Sequence, residues 1–124
     1  MKVEILITES PLHLAPATVP GCGAVARFDG IVRDIEDGKK IGGLYYEAYA
    51  PMAEKTMLDI LTGLGRIHPF NFARVHHRIG FVPVGEAAIS MDIYTKHRAE
   101  AFAVLQAFMD RLKTDVPIWK RSSP

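Results

Sequence analysis

Lys2 to Thr8 alternates well enough to predict a strand. The β-branched Val3, Ile5 and Ile7 share one face, Lys2, Glu4 and Thr8 the other, and only Leu6 breaks the pattern. From Glu9 to Gly23, prolines at 11, 16 and 20 and glycines at 21 and 23 forbid a long helix, so this segment reads as a connector. Alternation resumes from Ala24 to Arg33, with Ala24, Ala26, Phe28 and Val32 on one face and Arg27, Asp29 and Arg33 on the other. Asp34 to Gly43 contains Asp37-Gly38 and two lysines and reads as a turn or mobile loop. Leu44 to Tyr49, rich in aromatics, follows as a strand, and residues 24–49 together predict a β-hairpin.

Pro51 suits the first turn of a helix. Ala53, Met57, Ile60, Leu61 and Leu64 continue it at helical spacing, and Gly63 and Gly65 weaken its end. Ala73, Val75, His77 and Ile79 alternate with Arg74, His76 and Arg78 as a half-buried strand that Pro83 and Gly85 break. Ile89, Met91 and Ile93 alternate with Ser90, Asp92 and Tyr94 in a further strand. A second helix is expected from about Lys96 to Lys113, capped by Thr95, with Phe102, Leu105, Met109 and Leu112 as its apolar stripe. Asp115-Val116-Pro117 ends it and Ile118-Trp119-Lys120 forms an extended tail. The order strand, hairpin, helix, two strands, helix predicts an α+β fold, a mostly antiparallel sheet packed with two main helices, as one domain over residues 1–124.

Composition agrees with a globular domain: 124 residues, 48% hydrophobic and 23% charged. The single cysteine, Cys22, excludes an intrachain disulfide, and no apolar run is long enough for a membrane-spanning helix. The start MKVEILITES does not resemble a secretory signal, so a cytoplasmic setting is expected. A formal charge of +1 argues against bulk nucleic-acid binding. That total conceals an asymmetry, since residues 96–124 carry a local +3 and residues 1–95 a local −2.

Candidate chemistry concentrates in the basic quarter. His97 and Arg98 begin the second helix, where unpaired backbone N–H groups favour an anion, although two solvated residues fit the same spacing. A turn at Asp115-Val116-Pro117 would bring Lys113 and Lys120 together as a cationic pair; the alternative is two solvated lysines, one complementing the helix dipole. Arg33 is either a clamp for phosphate or carboxylate or a surface cation. Adjacent in a strand, His76 and His77 point to opposite faces and cannot share a metal, so no metal site is expected and His77 reads as a satisfied core residue. Cys22 has no neighbouring base to activate it and reads as a small, partly buried residue.

The series GCGAVARFDGIVRD, LYYEAYAPMAEK, HHRIGFVPVGEAAISMDIYTKHRAEAF and LKTDVPIWKR, running in order from Gly21 to Arg121, closely resembles the large, catalytic subunit of molybdopterin synthase. The resemblance implies an α/β-hammerhead fold and a sulfurtransferase of molybdenum cofactor biosynthesis. Such an enzyme converts cyclic pyranopterin monophosphate into molybdopterin by installing two sulfurs as a dithiolene. It implies a small ubiquitin-like partner subunit that carries the sulfur as a C-terminal thiocarboxylate, and a central homodimer of large subunits with one small subunit at each end, a heterotetramer. No cofactor is implied. Residue by residue, Lys113 matches the principal catalytic lysine and Lys120 a lysine for acid–base work or intermediate stabilisation. Ile31, Val32, Arg33, His97, Arg98, Lys113, Lys120, Arg121 and Ser122 match the binding site for the pterin phosphate. Ser122 stands where the family usually carries an acid, and the sequence ends at Ser122-Ser123-Pro124 where the family usually has a longer tail, so the resemblance does not carry over the contacts that such a tail supplies. An N-terminal helix of some relatives is expected to be reduced. Two rival readings are a non-catalytic module that keeps the fold and partner groove, and a small nucleic-acid-binding domain using the basic quarter.

Overall fold

The computed structural model describes residues 1–123; Pro124 of the terminal tail lies outside them. In chain order the elements are β1 (Lys2–Thr8), β2 (Ala24–Ile31), β3 (Ile35–Glu36), β4 (Lys39–Lys40), β5 (Gly43–Ala48), α1 (Ala50–Ile67), β6 (Phe72–Arg78), β7 (Gly80–Pro83), β8 (Ala87–Thr95), α2 (Arg98–Asp115) and β9 (Ile118–Ser123). The fold is α+β. A four-stranded sheet has the order β1-β6-β8-β2, a three-stranded sheet the order β7-β5-β9, and β3 and β4 form a small ribbon. Pairing is antiparallel throughout except between β1 and β6.

The expected hairpin over residues 24–49 does not form. β2 pairs with β8, with a register shift at Gly30/Ile31, while β5 pairs with β7 and β9 in the other sheet. The short hairpin lies inside the stretch expected to be a loop: Ile35 faces Lys40 and Glu36 faces Lys39. Asp37 (φ 51) and Gly38 (φ 75) both sit in the left-handed region that a tight two-residue hairpin turn requires.

Both helices cover one face of the four-stranded sheet. Met57 and Leu61 of α1, Val75 of β6, Met91 and Ile93 of β8, and Val104 and Phe108 of α2 meet there, each fully buried. α1 continues through Gly63 and Gly65, and the glycine at 65 lets Met1 and Phe70 approach closely; a Cβ there would lie 2.8 Å from the Phe70 ring. On α2 the fully buried face is Ala101, Val104 and Phe108, while Leu105, Met109 and Leu112 are partly buried beside it. Phe102, expected in the core, is 60% exposed. Thr95 is not the cap either. His97 holds that position in extended conformation, and the Thr95 hydroxyl donates to the His97 carbonyl at 2.5 Å.

The opposite face of the sheet explains why the polar half of β8 is buried. The 9–23 connector, which contains no helix, lies over it. Asp92, 1% exposed, accepts from Arg74 Nε at 2.9 Å and from the Tyr94 hydroxyl at 2.8 Å. Arg74 also donates to the Ala15 carbonyl at 2.7 Å, Arg27 to the Leu14 carbonyl, and the Ala17 N–H to the Tyr94 hydroxyl at 2.9 Å. Connector carbonyls thus accept further guanidinium protons of Arg74 and Arg27, while Arg74 and Tyr94 of the sheet itself satisfy the buried carboxylate.

Candidate active site

Where the two sheets meet the C-terminal end of α2, a pocket of about 470 Å³ opens, large enough for a small organic ligand. Gly30, Ile31 and Val32 form one wall at the point where the β2 register shifts. Leu44 and Tyr46 of β5 face it from the other sheet, with Lys120 of β9 beside them because Tyr46 and Lys120 are register partners. Leu112 and Lys113 close it from the last turn of α2. The α2 dipole presents its negative end here, so attraction for an anion must come from side chains.

Arg33, Lys113 and Lys120, separated by up to 87 positions in sequence, therefore line one pocket, with Ile31 and Val32. Arg33 lies beyond the end of β2, and its side chain is 78% exposed. The other expected residues lie elsewhere. Arg121 stacks over the Tyr45 ring at 4.5 Å and approaches Glu47 at 4.0 Å, on the opposite side of β9 from Lys120. Ser122 faces Leu44 in register and is exposed. His97 and Arg98 begin α2, so the helix separates them from Lys113 by about 22 Å at 1.5 Å per residue. They do not line this pocket in the single chain.

Three polar pocket residues escaped the sequence reading. Glu36, on β3, accepts from Lys120 Nζ at 3.3 Å and lies 3.7 Å from Arg33, with its side chain only 17% exposed. It pairs with both cations. Tyr46 titrates above the ordinary phenol value, chiefly because burial disfavours the phenolate and also because Glu36 is nearby, so its hydroxyl stays a proton donor. His77 is 4% exposed and lines the pocket, and burial holds its imidazole below the usual histidine value. Glu36 lay in an apparent loop and His77 in an apparent core strand; neither setting signalled a pocket. His76, on the other face, meets Glu4 at 2.8 Å. Among the described residues, no group of three His, Cys, Asp or Glu gathers as a metal site.

A second, largely apolar groove, bordered by Phe28, Phe102, Leu105 and Met109, runs along α2 and meets the pocket at Lys113.

The family model described as MoaE protein matches residues 7–115, ending between the two pocket lysines. The molybdopterin synthase catalytic subunit of Drosophila willistoni is 46% identical over 123 residues, which cover 95% of this chain and 33% of that protein. The human protein of that description is 41% identical over 102 residues, 82% of this chain and 54% of the relative. The chain thus spans between a third and about half the length of these relatives. The X-ray structure of molybdopterin synthase from Staphylococcus aureus superposes with a TM-score of 0.86 at 32% identity, covering 96% of this chain and 88% of that one. A family match over most of the residues, a relative of this identity along nearly the whole sequence and the same architecture agree: the chain belongs to the MoaE protein family.

Proposed function

We propose that the chain is the catalytic subunit of a molybdopterin synthase. It moves sulfur from the C-terminal thiocarboxylate of a small ubiquitin-like carrier subunit onto cyclic pyranopterin monophosphate, building the dithiolene of molybdopterin in the cytoplasm. The observation that carries this reading is the convergence of Arg33, Lys113 and Lys120 on one pocket that Val32, Leu44 and Ile89 also line with apolar surface. A phosphorylated heterocycle needs both features: cations for the phosphate and apolar surface for the ring. A thiocarboxylate arrives with its sulfur already ionised, so the enzyme needs no thiol. Attack by that sulfur forms a carbon–sulfur bond to a side-chain carbon of the pterin as the carbon–oxygen bond there breaks, the oxygen leaving as water or on the phosphate. The pterin is left joined to the carrier through a thioester. Hydrolysis then frees the carrier as a carboxylate and keeps the sulfur on the pterin. In this scheme Arg33 and Lys120 hold the phosphate; of the neighbours of Lys120 on β9, Ser122 shares its side of the strand and Arg121 faces away towards Tyr45. The Lys113 ammonium stabilises the oxyanion that develops during thioester cleavage.

His97 and Arg98 fit the proposal through a second copy of the chain. Two α2 helices packed antiparallel about a two-fold axis bring the N-terminus of each to the C-terminus of the other, and hence Arg98 of one copy towards Lys113 of the other. The same packing covers the exposed Phe102, one turn along from Arg98, and the groove beside it. A homodimer core with a carrier at each end is the assembly this implies.

Complementation tests the reading. In a strain lacking its own large subunit, the chain should restore growth that depends on a molybdoenzyme, and its Lys113→Ala variant should not. Failure of the unaltered chain, stably expressed beside a competent carrier, would favour a non-catalytic module.

A further inference from the structure

The floor of the pocket contains a polar atom to which the proposed chemistry gives no role. His77 shares the helix-covered face of β6 with Ala73 and Val75 and is 4% exposed. Its Nδ1 lies 2.8 Å from the Arg78 carbonyl oxygen. A carbonyl can only accept, so Nδ1 carries the proton and Nε2 the lone pair. No protein donor among the described residues reaches Nε2, whose ring has Nδ1 to Arg78 as its hydrogen bond. Nor is Nε2 sealed away: the sealed side-chain polar atoms without partners are Arg78 Nε and Glu100 Oε2. The ring lines the pocket, and among the described residues its lone pair has no partner within the chain. Tyr46 meets the imidazole edge-on, with centroids 5.3 Å apart, and holds its plane.

We infer that His77 is a specificity-determining residue of this pocket: Nε2 accepts a hydrogen bond from a ring or amino N–H of a flat nitrogen heterocycle whose phosphate is held by Arg33 and Lys120. The inference rests on the pterin reading of the site and deepens it by assigning the group that reads the ring. Val32, Leu44 and Ile89 supply apolar wall. Apolar wall accepts any flat ring, whereas a fixed acceptor selects an edge that donates. A ring presenting a lone pair at that position leaves two acceptors opposed in a desolvated site, which it cannot afford.

The test uses the complete synthase, this chain with its thiocarboxylated carrier. In His77→Phe, the KM for cyclic pyranopterin monophosphate should rise about tenfold while kcat changes little, the scale of one lost buried hydrogen bond. His77→Gln, which can present an acceptor oxygen near the same place, should recover much of the loss. Affinity for inorganic phosphate alone, read from Trp119 fluorescence, should not change in either variant. An unchanged KM in a folded His77→Phe variant overturns the inference, as does an equal loss of phosphate affinity. A second measurement uses the unaltered protein: the ¹⁵N resonance of His77 Nε2 should move when a non-reactive pterin monophosphate saturates the pocket. A resonance that stays in place at saturation overturns the assignment even if the variant does not fold. If instead the unaltered complex forms no dithiolene while the pterin still moves this resonance, the catalytic reading fails and the ring-reading role stands.

Discussion

Glu36 competes with any anion for the cations of the pocket, and its removal gives a prediction with a definite sign. Its carboxylate lies 3.3 Å from Lys120 and 3.7 Å from Arg33. Lys120 and Arg33 are 54% and 78% exposed in their side chains, so each pair belongs to the solvent-screened class worth about 0.2–1 kcal/mol. A phosphate that takes both cations must break both pairs, at a cost of about 0.4–2 kcal/mol, and must then tolerate a nearby carboxylate. Glu36→Gln removes the competition and the repulsion together. Affinity for inorganic phosphate should rise about two- to thirtyfold. The sole tryptophan of the chain, Trp119, lines this pocket, so its fluorescence reports the titration without a label. The gap between the two proteins should narrow at high salt, where screening weakens the original pairs. Phosphate affinity that is unchanged or lower in Glu36→Gln would show that Glu36 is not a competitor and would refute the reasoning.

Three further outcomes follow from packing, protonation and assembly. Phe108→Ala should lose about 3–5 kcal/mol of stability in urea denaturation, because the ring is fully buried at the junction of α2 and the sheet; a loss below about 1 kcal/mol would mean that the site collapses around the gap. Burial lowers the folded-state value of His77 below its unfolded one, so the unfolded chain binds the extra proton as the pH falls. Stability is therefore fully present above about pH 6.5 and declines below it, and the melting temperature of His77→Phe should fall less steeply between neutral and mildly acidic pH. In synthases assembled from an equal mixture of Arg98→Ala and Lys113→Ala chains, hybrid dimers should regain activity that neither variant shows alone, because one of their two composite pockets is intact; no regain in verified hybrids would place Arg98 outside the partner's pocket.

Local pattern revealed much of the fold. The limits of β1 are those the alternation predicts, and the 9–23 connector is as irregular as its prolines require. Long-range pairing was not legible. β2 and β5 are near neighbours in sequence and look like two arms of a hairpin, but their partners β8 and β9 lie about seventy residues further on. Nothing in a strand's periodicity names such a partner. The face of α2 was misjudged for a related reason. Reading bulky residues as the stripe selected Phe102, whereas the sheet takes Ala101, whose small side chain allows close approach.

The site divided in the same way. Spacing marked Arg33, Lys113 and Lys120 as cations near a strand end and a helix end but left solvated surface charges as the alternative; the family resemblance singled them out, and the fold brings all three to one pocket. Glu36 was hidden because a two-residue strand flanking a tight turn looks like loop, and His77 because alternation in β6 shows which face is buried but not that a cavity lies against its end. The expected grouping of His97 and Arg98 with the lysines fails within one chain because α2, 18 residues long, separates them; charge summed over residues 96–124 does not record distance along a helix.

The most direct test of the central claim, that this pocket transfers sulfur through Lys113, follows labelled sulfur. The purified chain is mixed with a carrier whose C-terminal thiocarboxylate bears ³⁵S and with cyclic pyranopterin monophosphate, and the pterin product is isolated after a single turnover. The account predicts label in the pterin with the unaltered chain and almost none with a folded, carrier-binding Lys113→Ala variant. Label that remains on the carrier with the unaltered chain, or passes to the pterin equally well with the variant, would contradict it.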